Sequence, residues 1–160
     1  MLSEIEALKG RSFGQFSSSK TQRPDTTDPV EIELTDQEDM FGAEHSIDFI
    51  QGDIEIKKSG MYLIIAGPQI GKLKGNDARW IDFWLRVNNV DVPNSNVRAV
   101  IKDACQKDVI VLQVLTRLNN GDTLNIMMST ETGDEGVGIE AIKPPGEPLI
   151  PSIILTMIQM

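Results

Sequence analysis

Apolar and polar residues alternate in short segments from residue 30 onward. Val30-Glu31-Ile32-Glu33-Leu34 shows this alternation with a period of two, which gives one apolar and one charged face, as in a half-exposed strand. Glycine, proline and asparagine separate such segments, and no interior segment has the period of an amphipathic helix. The pattern predicts about nine strands, at residues 30–34, 47–50, 53–57, 61–66, 80–87, 97–101, 109–115, 123–128 and 150–158.

This arrangement of short strands and turns predicts an all-β domain over residues 30–160, either a sandwich or a barrel. No internal repeat is evident, which argues against a propeller or a solenoid. Residues 1–29 differ, because they are polar and have few apolar positions. We therefore interpret residues 1–29 as an N-terminal arm and linker.

Three of the predicted strands contain no charged residue on either face. They are Met61–Ala66, Val109–Leu112 and the segment around Ile153-Ile154-Leu155. If the inner face of each strand fills the sandwich, its outer face needs another cover. Since no interior helix is predicted, a second copy of the same chain is the favoured cover. The alternative is a barrel interior or a covering loop.

Several motifs occur in an order that resembles a known superfamily. Phe49–Ile56 resembles a strand pair that precedes a tyrosine strand, and Gly60-Met61-Tyr62-Leu63-Ile64 resembles a Gly-x-Tyr-x-Phe motif with isoleucine in place of the last aromatic residue. Trp84–Asn88 resembles a central strand that ends in asparagine, and Leu118–Leu124 resembles a Leu-x-x-Gly-Asp-x-Leu hairpin. Together they resemble the jelly-roll superfamily of tumour necrosis factor and the complement globular head.

This resemblance implies a two-sheet antiparallel jelly-roll sandwich with an extended N-terminal arm, assembled as a homotrimer. It places Ile65, Val111 and Ile150 where relatives have aromatic residues near the three-fold axis, and Ile154 on the same strand face as Ile150. The C-terminal segment Pro151–Leu155 departs from the aromatic-Gly-hydrophobic strand of the family. The resemblance therefore implies fold and trimeric state more strongly than it implies a receptor.

The charge of the chain limits its partners. The net charge of −9 disfavours nucleic acid, whose binding needs clustered cations, and it also disfavours anionic membranes. No apolar stretch approaches the ~20 residues that span a bilayer, and the N-terminus does not resemble a secretory signal. We expect a chain that is made in a cytoplasm and binds neither nucleic acid nor membrane.

The sequence contains little catalytic chemistry. Cys105 and His45 are the only cysteine and histidine, so no disulfide, thiolate zinc site or persuasive hydrolytic triad is expected. The glycine-rich segment 133–138 contains acids that would repel phosphate. We expect a protein that is not an enzyme and has no cofactor. Calcium is the one ligand worth naming, at residues 36–39 or 131–135, and a solvated acidic loop is the alternative.

The apolar residues of the arm are too few and too widely spaced to form a core of their own, so a partner surface would have to order them. The arm also has a basic character that contrasts with the acidic body. We predict that it attaches the trimer to a capsid or another virion protein, and the alternative is a disordered tail. The residues concerned are Leu2, Ile5, Leu8, Arg11, Phe13 and Phe16.

The functional hypothesis is a non-enzymatic trimeric structural protein, a virion component such as a head-decoration, fibre or spike protein. Its basis is that the fold resembles modules that act outside cells, whereas the chain has no export signal. The alternative is a soluble, cytoplasmic bacterial recognition module that binds a protein or a glycan through its loops. Trp80 and Trp84 share strand parity with Asp82 and Arg86, which predicts a partly exposed patch rather than two core anchors.

Overall fold

A computed structural model of the chain describes residues 12–41 and 47–160. These two ranges contain fourteen strands and no helix, and therefore no helix that could cross a membrane. The strands are β1 Phe13–Ser18, β2 Val30–Glu31, β3 Asp36–Phe41, β4 Ile47–Ile50, β5 Asp53–Ile56, β6 Gly60–Gly71, β7 Arg79–Val87, β8 Val90–Asp91, β9 Val97–Ile101, β10 Asp108–Val109, β11 Leu112–Leu118, β12 Thr123–Thr130, β13 Gly138–Ile139 and β14 Ile153–Gln159.

The strands form two antiparallel sheets of seven strands each. The first sheet has the order β10-β6-β14-β1-β3, with β11 and β13 also paired to β6. The second has the order β4-β5-β12-β7-β8, with β2 paired to β12 and β9 paired to β7. The predicted all-β, two-sheet antiparallel architecture is confirmed.

The core lies between the sheets and consists mainly of the inward residues of the longer strands. In the N-terminal half of β6 the fully buried residues are Tyr62, Ile64 and Ala66, and on β7 they are Ile81, Phe83 and Leu85. This spacing of two is what the alternation in the sequence predicts. The Tyr62 hydroxyl donates a 2.7 Å hydrogen bond to the carbonyl oxygen of Lys58, which satisfies the polar end of the largest core side chain.

The N-terminal boundary of the sandwich differs from the predicted one. Residues 13–18, which the sequence pattern assigns to the arm, form β1 and pair along their whole length with β14. Phe16 is fully buried, and its ring centroid lies 5.3 Å from that of Phe49. Phe13 and Phe16 are thus part of the folded domain rather than of an attachment arm. The remaining arm residues named above, Leu2, Ile5, Leu8 and Arg11, lie outside the described residues.

The segment after β1 is also held against the sandwich. Backbone hydrogen bonds of 2.8 and 3.0 Å join Gln22 to Ile139, and the Gln22 side chain bonds both backbone groups of Glu33. A Cβ atom at Gly138 would lie 2.1 Å from the Gln22 carbonyl oxygen, so this crossing needs glycine. Gln22, which the sequence pattern assigns to the linker, is therefore tied to the sandwich through both its backbone and its side chain.

We expect Phe16→Ala to lower the free energy of unfolding by about 3–5 kcal/mol, because it removes a fully buried ring from the core. Urea denaturation followed by circular dichroism measures this change. Val100→Ala is the matched control, since Val100 is an exposed strand residue. A Phe16→Ala protein as stable as this control would show that β1 is dispensable.

Candidate functional site

One row of residues on the outer face of the first sheet is apolar across four adjacent strands. Leu115 of β11 pairs with Leu63 of β6, Leu63 pairs with Ile158 of β14, and Ile158 pairs with Phe13 of β1. All four point away from the core, because the residues that alternate with them are more buried. Leu115 is exposed, and the other three are half-buried. We call the outward side of β11, β6, β14 and β1 the apolar face.

Further large apolar side chains extend this row. Met61 is 37% exposed and Ile154 is 41% exposed. Met160, which follows β14 and donates its backbone N–H to the Met61 carbonyl oxygen, is 59% exposed. In a sandwich that stands alone, one face of each sheet is normally polar, so a row of large apolar side chains on the outer face marks an interaction surface.

Two of the four residues predicted for the trimer interface lie on the apolar face. Ile65 pairs with Thr156, and Ile154 pairs with Gly67, so both are outward residues of adjacent strands. Val111 immediately precedes β11 and is 61% exposed. Ile150 is 38% exposed and lies before β14, in an isolated bridge with Ile142. It is therefore not on the strand of Ile154.

The row of Phe13, Leu63, Leu115 and Ile158 was not among the predicted interface residues. The signal for Leu63 is present in the sequence, since it belongs to a predicted strand without charged residues on either face. Leu115 has no such signal, because Arg117 lies on the same face of its strand. Their alignment with Phe13 and Ile158 depends on how four strands distant in sequence pair. Only the register of the sheet reveals the row.

The outer face of the second sheet has a different character. Along β7, Trp80, Asp82, Trp84 and Arg86 point outward and are half-buried, while the residues between them are buried. The predicted partly exposed patch is confirmed, and the core anchors of this strand are Ile81, Phe83 and Leu85 instead. We call this side of β7 and its neighbours the tryptophan face.

Ion pairs fix the side chains of the tryptophan face. Arg98 donates to both carboxylate oxygens of Asp82, at 2.7 and 2.9 Å, and its guanidinium carbon lies 4.1 Å from the Trp80 ring centroid. The Trp84 indole Nε1 donates to Asp91 at 2.7 Å, and Arg86 donates to the same oxygen at 2.9 Å. These two bonds hold the pKa of Asp91 below its ordinary value, the Trp84 bond contributing most.

An open cleft of about 450 Å³ lies beside Trp84 on this face. Its walls come from β7, from β12 and from the loop between β8 and β9. Asp82 and Asp91 of the ion pairs border it. The full lining is Asp82, Trp84, Asp91, Val92, Pro93, Asn94, Asn96 and Ser129.

A charged cluster closes one end of the sandwich. Arg79 donates to both carboxylate oxygens of Glu135, at 2.7 and 3.0 Å, and this bond lowers the pKa of Glu135. The ammonium of Lys72, a fully buried residue, lies 4.0 Å from Glu135 and donates to the Asp77 carbonyl oxygen. Glu131 is also ion-paired to Arg79, at 3.6 Å. The cluster therefore ties the loop after β12 to the start of β7.

The same contacts bear on the calcium prediction. In the 131–135 loop, Glu131 and Glu135 both face Arg79, so a cation would compete with a guanidinium for their oxygens. Within residues 12–41 and 47–160, no group of three or more His, Cys, Asp or Glu side chains is placed to hold a metal ion. Residues 36–39 belong to β3 rather than to a loop. Calcium at either acidic segment stays a prediction.

Solved structures with a similar fold exist despite little shared sequence. The chain is similar to crystal structures of murine APRIL at pH 5.0, pH 8.5 and pH 8.0, with TM-scores of 0.56, 0.56 and 0.58. Each match covers 94% of this chain and 99% of the APRIL chain, at 8%, 9% and 8% sequence identity. The fold is a tumour-necrosis-factor-like jelly roll. This confirms the predicted fold and the resemblance read from the motifs. No family model matches the chain, and no curated protein matches it by sequence.

We expect Glu135→Gln to lower the thermal unfolding midpoint at pH 7, because it removes a carboxylate from Arg79 and Lys72. The pKa of Glu135 is lowered in the folded protein, so its stabilising effect is complete above its ordinary value of 4.5 and is lost as the pH falls through the folded value. Calorimetry should therefore show the two midpoints converging in acid. Glu147→Gln is the control, since Glu147 is exposed. A difference that does not change with pH would refute this account of the cluster.

Proposed function

We propose that the protein is a non-enzymatic binding or structural module that assembles as a homotrimer through the apolar face. The observation that carries the proposal is the row of four apolar residues, one from each of four adjacent strands, on the side of the sheet away from the core. Leaving such a row in water costs free energy roughly in proportion to its area, at about 25 cal/mol per Å². A partner that covers it recovers that free energy.

Charge supports a second copy of the same chain as that partner. The chain contains 24 acidic residues and has a net charge of −9, so two copies repel each other over most of their surfaces. Among the outward residues of β11, β6, β14 and β1, none is Asp or Glu. The polar members of the face are Gln15, Ser17, Gln113, Thr156 and Arg117. The apolar face is thus a surface on which copies of an acidic chain can meet.

The number of copies comes from the resemblance to tumour necrosis factor, which implies a three-fold axis. The proposed axis runs beside Ile65 and Ile154, which lie on adjacent strands of the apolar face. Val111 and Ile150 are exposed and are proposed to contribute from the ends of β11 and β14. The non-enzymatic role rests on the chemistry of the sequence, which has one histidine and one cysteine.

More specifically, we propose that the protein is a virion component. This hypothesis and its alternative, a soluble recognition module, both stay predictions from the sequence. Since β1 begins at Phe13, any attachment segment is shorter than proposed from the sequence and is confined to residues 1–11. Deleting residues 1–11 tests it: the trimer should persist and attachment to a capsid or other virion protein should be lost. Electron microscopy of source particles distinguishes virion from cytoplasmic location.

We expect Leu63→Asp and Ile158→Asp each to convert the trimer into a monomer, because each places a carboxylate in the centre of the apolar row. Light scattering coupled to size-exclusion chromatography measures the mass. Val100→Asp, which adds the same charge to an exposed position of the second sheet, is the matched control and should remain trimeric. Circular dichroism confirms that each variant is folded.

Two results would overturn the proposal. One is a wild-type protein that is monomeric at micromolar concentration. The other is a trimer that persists in both folded variants, because it would have to form through a different surface.

A further inference from the structure

We propose that the cleft on the tryptophan face is a binding site for a neutral saccharide, with Trp84 as its stacking platform and Asn94 and Asn96 as its hydrogen-bonding wall. The cleft volume of about 450 Å³ lies within the range of small-ligand sites. It suits a ligand of one or two sugar rings. The site is separate from the apolar face, because it lies on the opposite sheet of the sandwich.

Trp84 is oriented before any ligand arrives. Its indole N–H donates to Asp91 at 2.7 Å, and Asp91 is itself held by Arg86 at 2.9 Å. A side chain fixed in this way loses little further conformational entropy on binding. The face of an indole carries a partial negative charge, which attracts the partly positive C–H groups on the apolar face of a sugar ring. Trp84 is half-buried, so part of the indole is available for such stacking.

The charges in the cleft are already neutralised. The Asp82 carboxylate is paired with Arg98 through two hydrogen bonds, and Asp91 is paired with Arg86. The cleft therefore offers no net charge to select an ionic ligand. Each carboxylate oxygen can accept more than one hydrogen bond, so Asp82 and Asp91 remain acceptors for hydroxyl groups. An anion such as a phosphate would meet two carboxylates and no unpaired cation among the lining residues.

The loop between β8 and β9 presents two amides that are not engaged by the rest of the described chain. Asn94 and Asn96 are exposed, and their side chains have no hydrogen-bond partner in residues 12–41 and 47–160. An amide offers both donors and acceptors, which matches the mixed hydrogen bonding of sugar hydroxyls. The hydroxyl groups of a saccharide would supply hydrogen-bond partners for these two amides.

Ser95 anchors this loop to β7. Its side-chain hydroxyl accepts a 3.0 Å hydrogen bond from the Leu85 N–H and donates one of 2.7 Å to the Val92 carbonyl oxygen. Ser95 is 2% exposed, so these bonds are shielded from water. The two flanking asparagines are thereby held at a fixed position beside Trp84, as a preformed binding wall requires.

The test begins with a glycan array probed with the fluorescently labelled wild-type protein, followed by titration calorimetry with the neutral mono- or disaccharide that binds best. We expect Trp84→Ala to weaken binding at least about tenfold, which corresponds to about 1.4 kcal/mol, and Asn96→Ala to weaken it several-fold. Val100→Ala, an exposed position outside the cleft lining, is the control and should bind as wild type does.

Binding per site should be unchanged in the Leu63→Asp variant, so failure of the trimer proposal and failure of this one are distinguishable. The saccharide proposal is overturned if no neutral glycan on the array binds or if only sialylated or sulfated glycans bind. It is also overturned if the affinity of a folded Trp84→Ala protein equals that of wild type, because the ligand would then occupy another surface.

Discussion

Strand β6 has apolar side chains on both faces, and both sheets are arranged around this constraint. Its inward residues Tyr62, Ile64 and Ala66 are fully buried in the core. Its outward residues Met61, Leu63 and Ile65 alternate with them on the other side of the sheet. A strand of this composition is stable in water only if both of its faces are covered. The second sheet covers the inner face, and in our account another copy of the chain covers the outer one.

The strands beside β6 also have outward apolar residues that need to be covered. β14 and β11 pair with it on either side, and β1 pairs with β14, so outward Ile158, Leu115 and Phe13 align with Leu63. The outer face of the second sheet is not covered by another chain in our account. Instead, ion pairs on that face hold two half-buried tryptophans in place. One sheet surface is therefore suited to self-association and the other to a polar ligand. The two functions need not compete for space.

Local pattern was sufficient to predict much of this fold. Alternation with a period of two located the buried and outward residues of β7, and the lack of charge on both faces of 61–66 indicated a surface that needs a cover. The pattern failed at β1, where Gly14, Ser17 and Ser18 are buried in a sheet although their types suggested a solvated arm. Small polar residues fit there because their backbone groups pair with β14 and their hydroxyls bond nearby groups, as Ser18 does with Gln22.

The two candidate sites depend on pairing between distant segments, which a single sequence does not reveal. The apolar row needs the registers of β11, β6, β14 and β1 together. The cleft needs β7 and β12 to lie beside the β8–β9 loop, so the local sequence pattern does not single out Asn94 and Asn96. The sequence also did not reveal the position of Ile150, which was predicted to lie near the three-fold axis. Ile150 lies outside β14, in a bridge with Ile142.

Methionine oxidation tests most directly whether the apolar face is buried between copies. Met61 and Met160 are exposed on this face of the single chain, whereas Met127, Met128 and Met157 are buried in its fold. Mass spectrometry after brief peroxide treatment reports each site separately. The account predicts that Met61 and Met160 are protected in the wild-type protein and become oxidised in folded Leu63→Asp. Equal and rapid oxidation of Met61 and Met160 in both proteins would contradict it.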